Sequence, residues 1–299
     1  MPDWGESFLK PRCLFFLPDF GKEGPVSIKK DSKVRATSHE CIHMENSAVK
    51  PDIIMEEDAF AHSAGPVHVF FEHLATYTYP IVFTSTLALS VLEFNNARNL
   101  YWLLLLMPLG WLAADWITGI IHWFFDTYGS QTMPVLGRSF IKPFRDHHID
   151  PKGITTHSLT VTIGNTCIAA VPITFWILYP LLFGDPTDAY RMTAFFLSFT
   201  IGGTVLTNQF HKWSHLDTPP LWIRTLQKGK IILGIVHHDV HHTKPFDTFY
   251  CITNGWMNPI LDRINFWRGM EKLLGWFGVK PYPGIAEERA INAGVAASR

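Results

Sequence analysis

The sequence predicts an all-α fold, an integral membrane bundle of about four transmembrane helices with a cytosolic, histidine-rich cap. Three observations predict it. Charged residues make up only 17% of the 299 residues and aromatic residues 14%, a balance that suits a polytopic membrane protein better than a soluble enzyme. Four stretches approach the roughly 20 mostly apolar residues that a helix needs to cross a bilayer. Histidine is in excess, and ten of the fifteen lie in short clusters between Asp115 and His242.

The elements follow in order. Residues 1–65 mix Lys, Glu, Asp, Pro and Gly without a sustained apolar period, which reads as a flexible N-terminal tail. The tail lacks the basic start, apolar stretch and cleavage site of a secretory signal, and Asp3, Glu6, Asp19 and Glu23 argue against a transit peptide. His39, His43 and His62 read as solvated surface residues. Residues 66–283 form the membrane domain and 284–299 a C-terminal tail. The expected spans run from Thr76 to Phe94, Leu100 to Phe125, Leu159 to Phe183 and Tyr190 to Phe210. The first is the weakest, because it carries Tyr79-Pro80 and several Thr and Ser, and its helix begins upstream, near Val67, if it is to reach across.

Loop charge sets the orientation. The loop from Asp126 to Ser158 holds Arg138, Lys142, Arg145 and Lys152, whereas the two loops on the opposite side hold only Arg98. Basic short loops stay in the cytosol, so with four spans both termini lie there too. Beyond Pro219-Pro220 the chain is amphipathic and reads either as a layer at the headgroup level or as a soluble cap on the helices. A net charge of −1 gives no electrostatic case for nucleic acid. Cys13, Cys41, Cys167 and Cys251 are scattered and form no disulfide framework or zinc ribbon.

Spacing gives the histidines a chemistry. On a helix, residues four apart share a face, so His122 and Asp126, His211 and His215, and His238 and His242 each aim two groups at one place, with His241 joining His238 at the i, i+3 position. His147 and His148 fall in the cytosolic loop, and His157 lies at the start of the third span. His237 sits one residue round from His238 and is less surely turned to the same centre. All these positions converge on the cytosolic face. Eight or more imidazoles are too many for one four- or six-coordinate ion, so two metals are implied. No Glu stands inside the clusters to serve as the base of a zinc hydrolase, and iron with molecular oxygen as co-substrate fits better. A membrane hydroxylase would use the same site. A metal-binding or transport protein would instead place ligands along a path near the midplane.

The strings DWITGIIHWFFDTYGS, FIKPFRDHHIDPKGITTHS, TNQFHKWSH and VHHDVHHTKPFDTFYCITNGWMNPILDRINFWR resemble the Kua-type membrane lipid desaturases, and within them the plasmanylethanolamine desaturase branch. The resemblance covers about Phe71 to Pro283. Asp150-Pro151 and His157 separate it from a sister plastid branch that acts on phosphatidylglycerol. It implies oxygen-dependent removal of two hydrogens from the first carbons of a 1-O-alkyl chain, giving the vinyl ether of a plasmalogen. It also implies two iron ions, cytochrome b5 as electron donor, a phospholipid substrate, and the endoplasmic reticulum membrane. The ligand positions it implies are His122, His147, His148, His211, His215, His238, His241 and His242, with Asp126, His157 and His237 as further family positions. Desaturation or hydroxylation of another phospholipid's acyl chain is the alternative. Lys142, Arg145 and Lys212 are candidates to contact a lipid phosphate, although positive-inside topology alone accounts for them.

Overall fold

A computed structural model describes residues 65–92, 99–134 and 136–285. The two expected tails fall almost wholly outside the described residues. Four long helices carry the structure: α1 (Pro66–Leu92), α2 (Leu100–Thr127), α4 (Leu159–Phe183) and α5 (Asp188–Ser214). A π-helical turn over Gly137–Ile141 leads into the short α3 (Lys142–Ile149), and a 3-10 turn, Gly153–Thr156, connects α3 to α4. After α5 come four short helices, α6 (Leu221–Lys228), α7 (Ile235–His241), α8 (Asn258–Arg263) and α9 (Phe266–Trp276).

By length and composition α1, α2 and α4 can cross a membrane, and α5 falls short. The first is the least apolar of these three, as expected, whereas the fourth, expected to be stronger than it, does not qualify. In α1 the helix does begin upstream, at Pro66, and continues through Pro80, since one proline removes only one ladder hydrogen bond. In α5 the polar groups turn inward: Arg191, Ser198, Thr207, Gln209 and His211 are all buried. At 27 residues it is about 40 Å long by the helical rise, as long as its neighbours.

Packing explains how α5 fits among them. It runs parallel to α2. At one end Asn99 Nδ2 donates to Asp188 Oδ2 at 2.6 Å, and at the other the rings of His122 and His211 lie 6.0 Å apart. Between these, a Cβ on Gly110 would come within 2.7 Å of the Phe196 carbonyl, and one on Gly203 within 2.6 Å of the Ala114 Cβ. Small residues let the two backbones approach, the usual source of helix association in lipid. In the same way α1 runs beside α4, with Ala75 and Tyr79 packed on Ile163, Cys167 and Ala170, then Val82 on Ile177 and Leu178. Large apolar side chains such as Ile81, Leu104 and Trp176 face outward and are exposed, which suits hydrocarbon rather than water.

The segment from Tyr250 to Asn258 is not helical before α8, yet Tyr250, Cys251, Ile252, Thr253, Asn254 and Asn258 are buried. Buried irregular backbone must find partners within the protein. Asp115, wholly buried in α2, supplies most of them. Its Oδ1 accepts from the backbone N–H groups of Thr253, Asn254 and Gly255 at 3.0, 3.0 and 2.9 Å, and its Oδ2 accepts from Met257 at 3.1 Å. Asn258 closes the loop on itself, accepting from Cys251 N and donating to Cys251 O. Gly255 takes a left-handed φ of +77°, and the His237 ring fills the space that its side chain would need.

Candidate metal centre

The C-terminal ends of α2 and α5 meet α3 and α7, and there the histidines gather. His122 and Asp126 occupy the last two turns of α2, His211 the last turn of α5, and His215 caps it. His147 and His148 come from α3, His238 and His241 from α7, and His242 caps α7. They sort into two adjoining groups. One comprises His147, His211, His215, His238 and His242; the other His122, Asp126, His148 and His241; within each, one candidate ligand atom per residue lies within 4.8 Å of all the others. Rings of the two groups come as near as 5.3 Å, between His148 and His242.

The donor atoms fit metal ions on three counts. The first is spacing: His147 Nε2 lies 2.9 Å from His215 Nε2, and His238 Nε2 lies 3.0 Å from His242 Nε2. Asp126 Oδ2 lies 3.2 Å from His122 Nε2 and 3.1 Å from His148 Nε2. Neighbouring ligands about 2.1 Å from one ion are about 3.0–3.4 Å apart at octahedral or tetrahedral angles. The second is tautomer. His122 Nδ1 bonds the Tyr250 carbonyl at 3.0 Å and His241 Nδ1 bonds the Thr248 carbonyl at 2.7 Å. A carbonyl only accepts, so Nδ1 carries the proton in each ring and the Nε2 lone pair faces the group. Those two Nε2 atoms, with His211 Nε2 and Asp126 Oδ1, are buried and make no hydrogen bond among the described residues, an arrangement that calls for a partner.

The third count is charge state. Burial, reinforced by the neighbouring imidazoles, holds His147 and His238 well below the ordinary histidine range. Burial takes His215 and His241 down to about 4 and His242 to about 2. For His241 the nearby Asp126 carboxylate pulls the other way. These five rings are therefore neutral near pH 7, the form in which imidazole ligates a metal.

Residues 111–283 match the family model described as the lipid desaturase domain, which is more than half of the chain. The chain belongs to the lipid desaturase family. It is 46% identical over 176 residues to a plasmanylethanolamine desaturase of Myxococcus xanthus, covering 58% of this chain and 62% of that protein. It is 42% identical over 177 residues to plasmanylethanolamine desaturase 1 of Mus musculus, covering 58% of this chain and 65% of the mouse protein. A chloroplastic fatty acid desaturase 4 of Arabidopsis thaliana is 32% identical over 177 residues, 58% of this chain and 52% of that one. The chain thus matches less than two thirds of the length of these relatives. No solved structure matches it.

Of the eleven positions expected from the sequence, nine fall in the two groups. His157 and His237 fall outside them. His157 ends the 3-10 turn before α4, and its carbonyl accepts from Lys212 Nζ. His237 points away from both groups, with Nε2 3.1 Å from Asn258 Nδ2 and its ring 4.8 Å from that of Phe249. A histidine one residue round a helix from His238 is turned by about 100°, which accounts for the divergence. Sequence reasoning missed the supporting shell: Asp115, Asn258 and the carbonyls of Thr248 and Tyr250. Asp115 did carry a signal, as a carboxylate inside an apolar span.

Two cavities reach the groups from different sides. One of about 410 Å³ is lined by Asp126, His148, Pro245, Phe246 and Tyr250 among others. The second, of about 340 Å³, is lined by His215, His242, Ser214, Asp217 and Asp239 among others. The first has the apolar walls that a hydrocarbon chain requires, and the second mixes Pro151, Leu216 and Ile235 with Lys152 and Asp217.

Proposed function

We propose that this chain is an oxygen-dependent plasmanylethanolamine desaturase. It removes two hydrogens from the first two carbons of the 1-O-alkyl chain and leaves the vinyl ether of a plasmalogen. The observation that carries this reading is the pair of adjoining imidazole groups, one holding a carboxylate, in a chain whose relatives at 46% and 42% identity are named for that substrate. His147, His211, His215, His238 and His242 would hold one iron, and His122, Asp126, His148 and His241 the other. Two bound irons supply the one-electron and oxygen chemistry that an unactivated alkyl carbon requires. His157 and His237 then act as supports, not ligands.

The chain's own residues do the rest. The carbonyls of Tyr250 and Thr248 fix the tautomers of His122 and His241, so these ligands need no rearrangement to bind. Burial keeps the rings neutral. The apolar wall of Pro245, Phe246 and Tyr250 takes the chain and excludes water beside Asp126 and His148. Both groups sit at the ends of the long helices, which favours attack near the glycerol over attack deep in the tail. It also disfavours transport, which needs ligands along a path. The family resemblance supports cytochrome b5 as electron donor and the endoplasmic reticulum as location. The basic loop around Lys142, Arg145 and Lys152 supports cytosolic termini.

The test is to express the chain in cells that lack vinyl ether synthesis, supply isotope-labelled 1-O-alkylglycerol and follow the acid-labile vinyl ether. Label in the vinyl ether supports the reading. Label in a mid-chain double bond or a hydroxylated chain, or desaturation of an acyl chain as the plastid relatives' names suggest, refutes it.

A further inference from the structure

Of the three cations that stood as candidates to meet a lipid phosphate, two are engaged elsewhere. Lys142 pairs with Asp146, and Lys212 donates to the His157 carbonyl. Arg145 is placed differently. Its Nη2 donates to the carbonyls of Tyr128 and Gly129 at 2.9 and 3.0 Å, and its guanidinium carbon sits 4.4 Å from the centre of the Tyr282 ring. The head group is thus held from two sides. Yet its Nε and Nη1 are buried and make no hydrogen bond among the described residues. Leaving charged donors buried without an acceptor is costly, so an acceptor completes them.

Arg145 borders the same 410 Å³ cavity as Asp126 and His148, and Lys244 borders it too. Pro245, Phe246 and Tyr250 give the cavity its apolar wall. Asp126 would repel an anion on its own, but in the desaturase reading it is a ligand whose charge a bound cation would offset, with its Oδ2 at 3.2 Å from His122, 3.1 Å from His148 and 3.5 Å from His241. An occupant that satisfies the whole cavity carries an anionic acceptor at one end and hydrocarbon at the other. Guanidinium is the side chain best matched to phosphate oxygens.

We propose that Arg145, on a cavity that Lys244 also lines, binds the phosphate of the phospholipid substrate and so sets how far the chain extends past Asp126 and His148. With the phosphate fixed there, only the glycerol separates it from the alkyl carbons, and the first carbons of the chain stop at the metal groups. The proposal rests on the desaturase reading of the site and adds the residue that positions the substrate.

The experiment is native mass spectrometry of the detergent-purified, metal-loaded full chain with two probes that share an alkyl chain, 1-O-alkyl-glycerophosphoethanolamine and 1-O-alkylglycerol. Wild type should prefer the phosphorylated probe by about 10–100-fold, the value of charge-assisted hydrogen bonds. R145Q should lose most of that preference, R145K should keep part of it, and K244Q should lose a smaller part. Equal retention of the two probes by wild type overturns the proposal without any variant, and so does undiminished preference in R145Q. If R145Q does not fold, full preference in both R145K and K244Q overturns it. Inorganic phosphate that competes as well as the lipid at equal concentration would show an ion site only, and also overturns it. Failure of the desaturase reading looks different: wild type discriminates between the probes yet forms no vinyl ether with reductant and oxygen.

Discussion

Replacing Asp115 by Asn tests how the buried loop supports the metal centre. The carboxylate accepts four backbone N–H groups, three on Oδ1 and one on Oδ2. An amide can keep the three on its oxygen, but each then loses charge assistance, about 0.5–1 kcal/mol apiece. Its NH2 turns toward the Met257 N–H, leaving a buried donor unpaired at about 1–3 kcal/mol. The sum is about 2.5–6 kcal/mol, a large share of the roughly 5–15 kcal/mol by which a domain is stable. Thermal unfolding of solubilised D115N should fall by about 10 °C on the usual scaling for a chain of this size. The same loop presents the Tyr250 carbonyl to His122, so metal loss should begin in the group of His122, Asp126, His148 and His241. The assay is a melting curve with metal analysis on the same sample. A midpoint within about 2 °C of wild type and full metal content would show that the carboxylate does not hold the loop.

Acid should release metal and destabilise the stripped protein. His215 and His241 are lowered from 6.5 to about 4, so below pH 6.5 the unfolded chain takes protons that the folded one refuses, and the stability these two rings contribute is lost between pH 6.5 and 4. For the fully buried His241 the loss is on the order of 3 kcal/mol; a melting temperature of the stripped protein that is flat from pH 7 to 4 would contradict it. His238→Ala should abolish activity and strip metal from the five-histidine group, whereas His237→Ala should keep both metals and lose about 1–3 kcal/mol of stability through the one Asn258 N–H that loses its partner. Metal analysis with melting curves separates the two, and equal metal loss in both variants would overturn the geometry.

The helical bundle was legible because apolar length and loop charge report directly on membrane crossing. Its fourth member was harder to grade, since Arg191 and Gln209 are buried against other helices and hydropathy counts them as if they met lipid. The i, i+4 spacing revealed which histidines share a face, and the structure sorts them as His122 with Asp126 and His211 with His215. Spacing does not report which helix faces which, so the division between the groups, with His148 joining Asp126 while His147 joins His215, is seen only in three dimensions. The outward turn of His237 and the clamp of Asp115 on residues 253–257 depend on a loop that folds back between α2 and α5. There Thr253 Oγ1 lies 3.0 Å from Thr118 Oγ1 and 2.9 Å from Thr207 Oγ1, contacts between residues more than forty positions apart.

If the clusters form two metal sites, metal stoichiometry in active, purified protein decides the matter. Wild type should hold two irons per chain, with loss confined at first to one site in His211→Ala and to the other in His122→Ala. A single iron per active chain, or full activity with zinc alone, which has no redox chemistry, would contradict the two-iron reading.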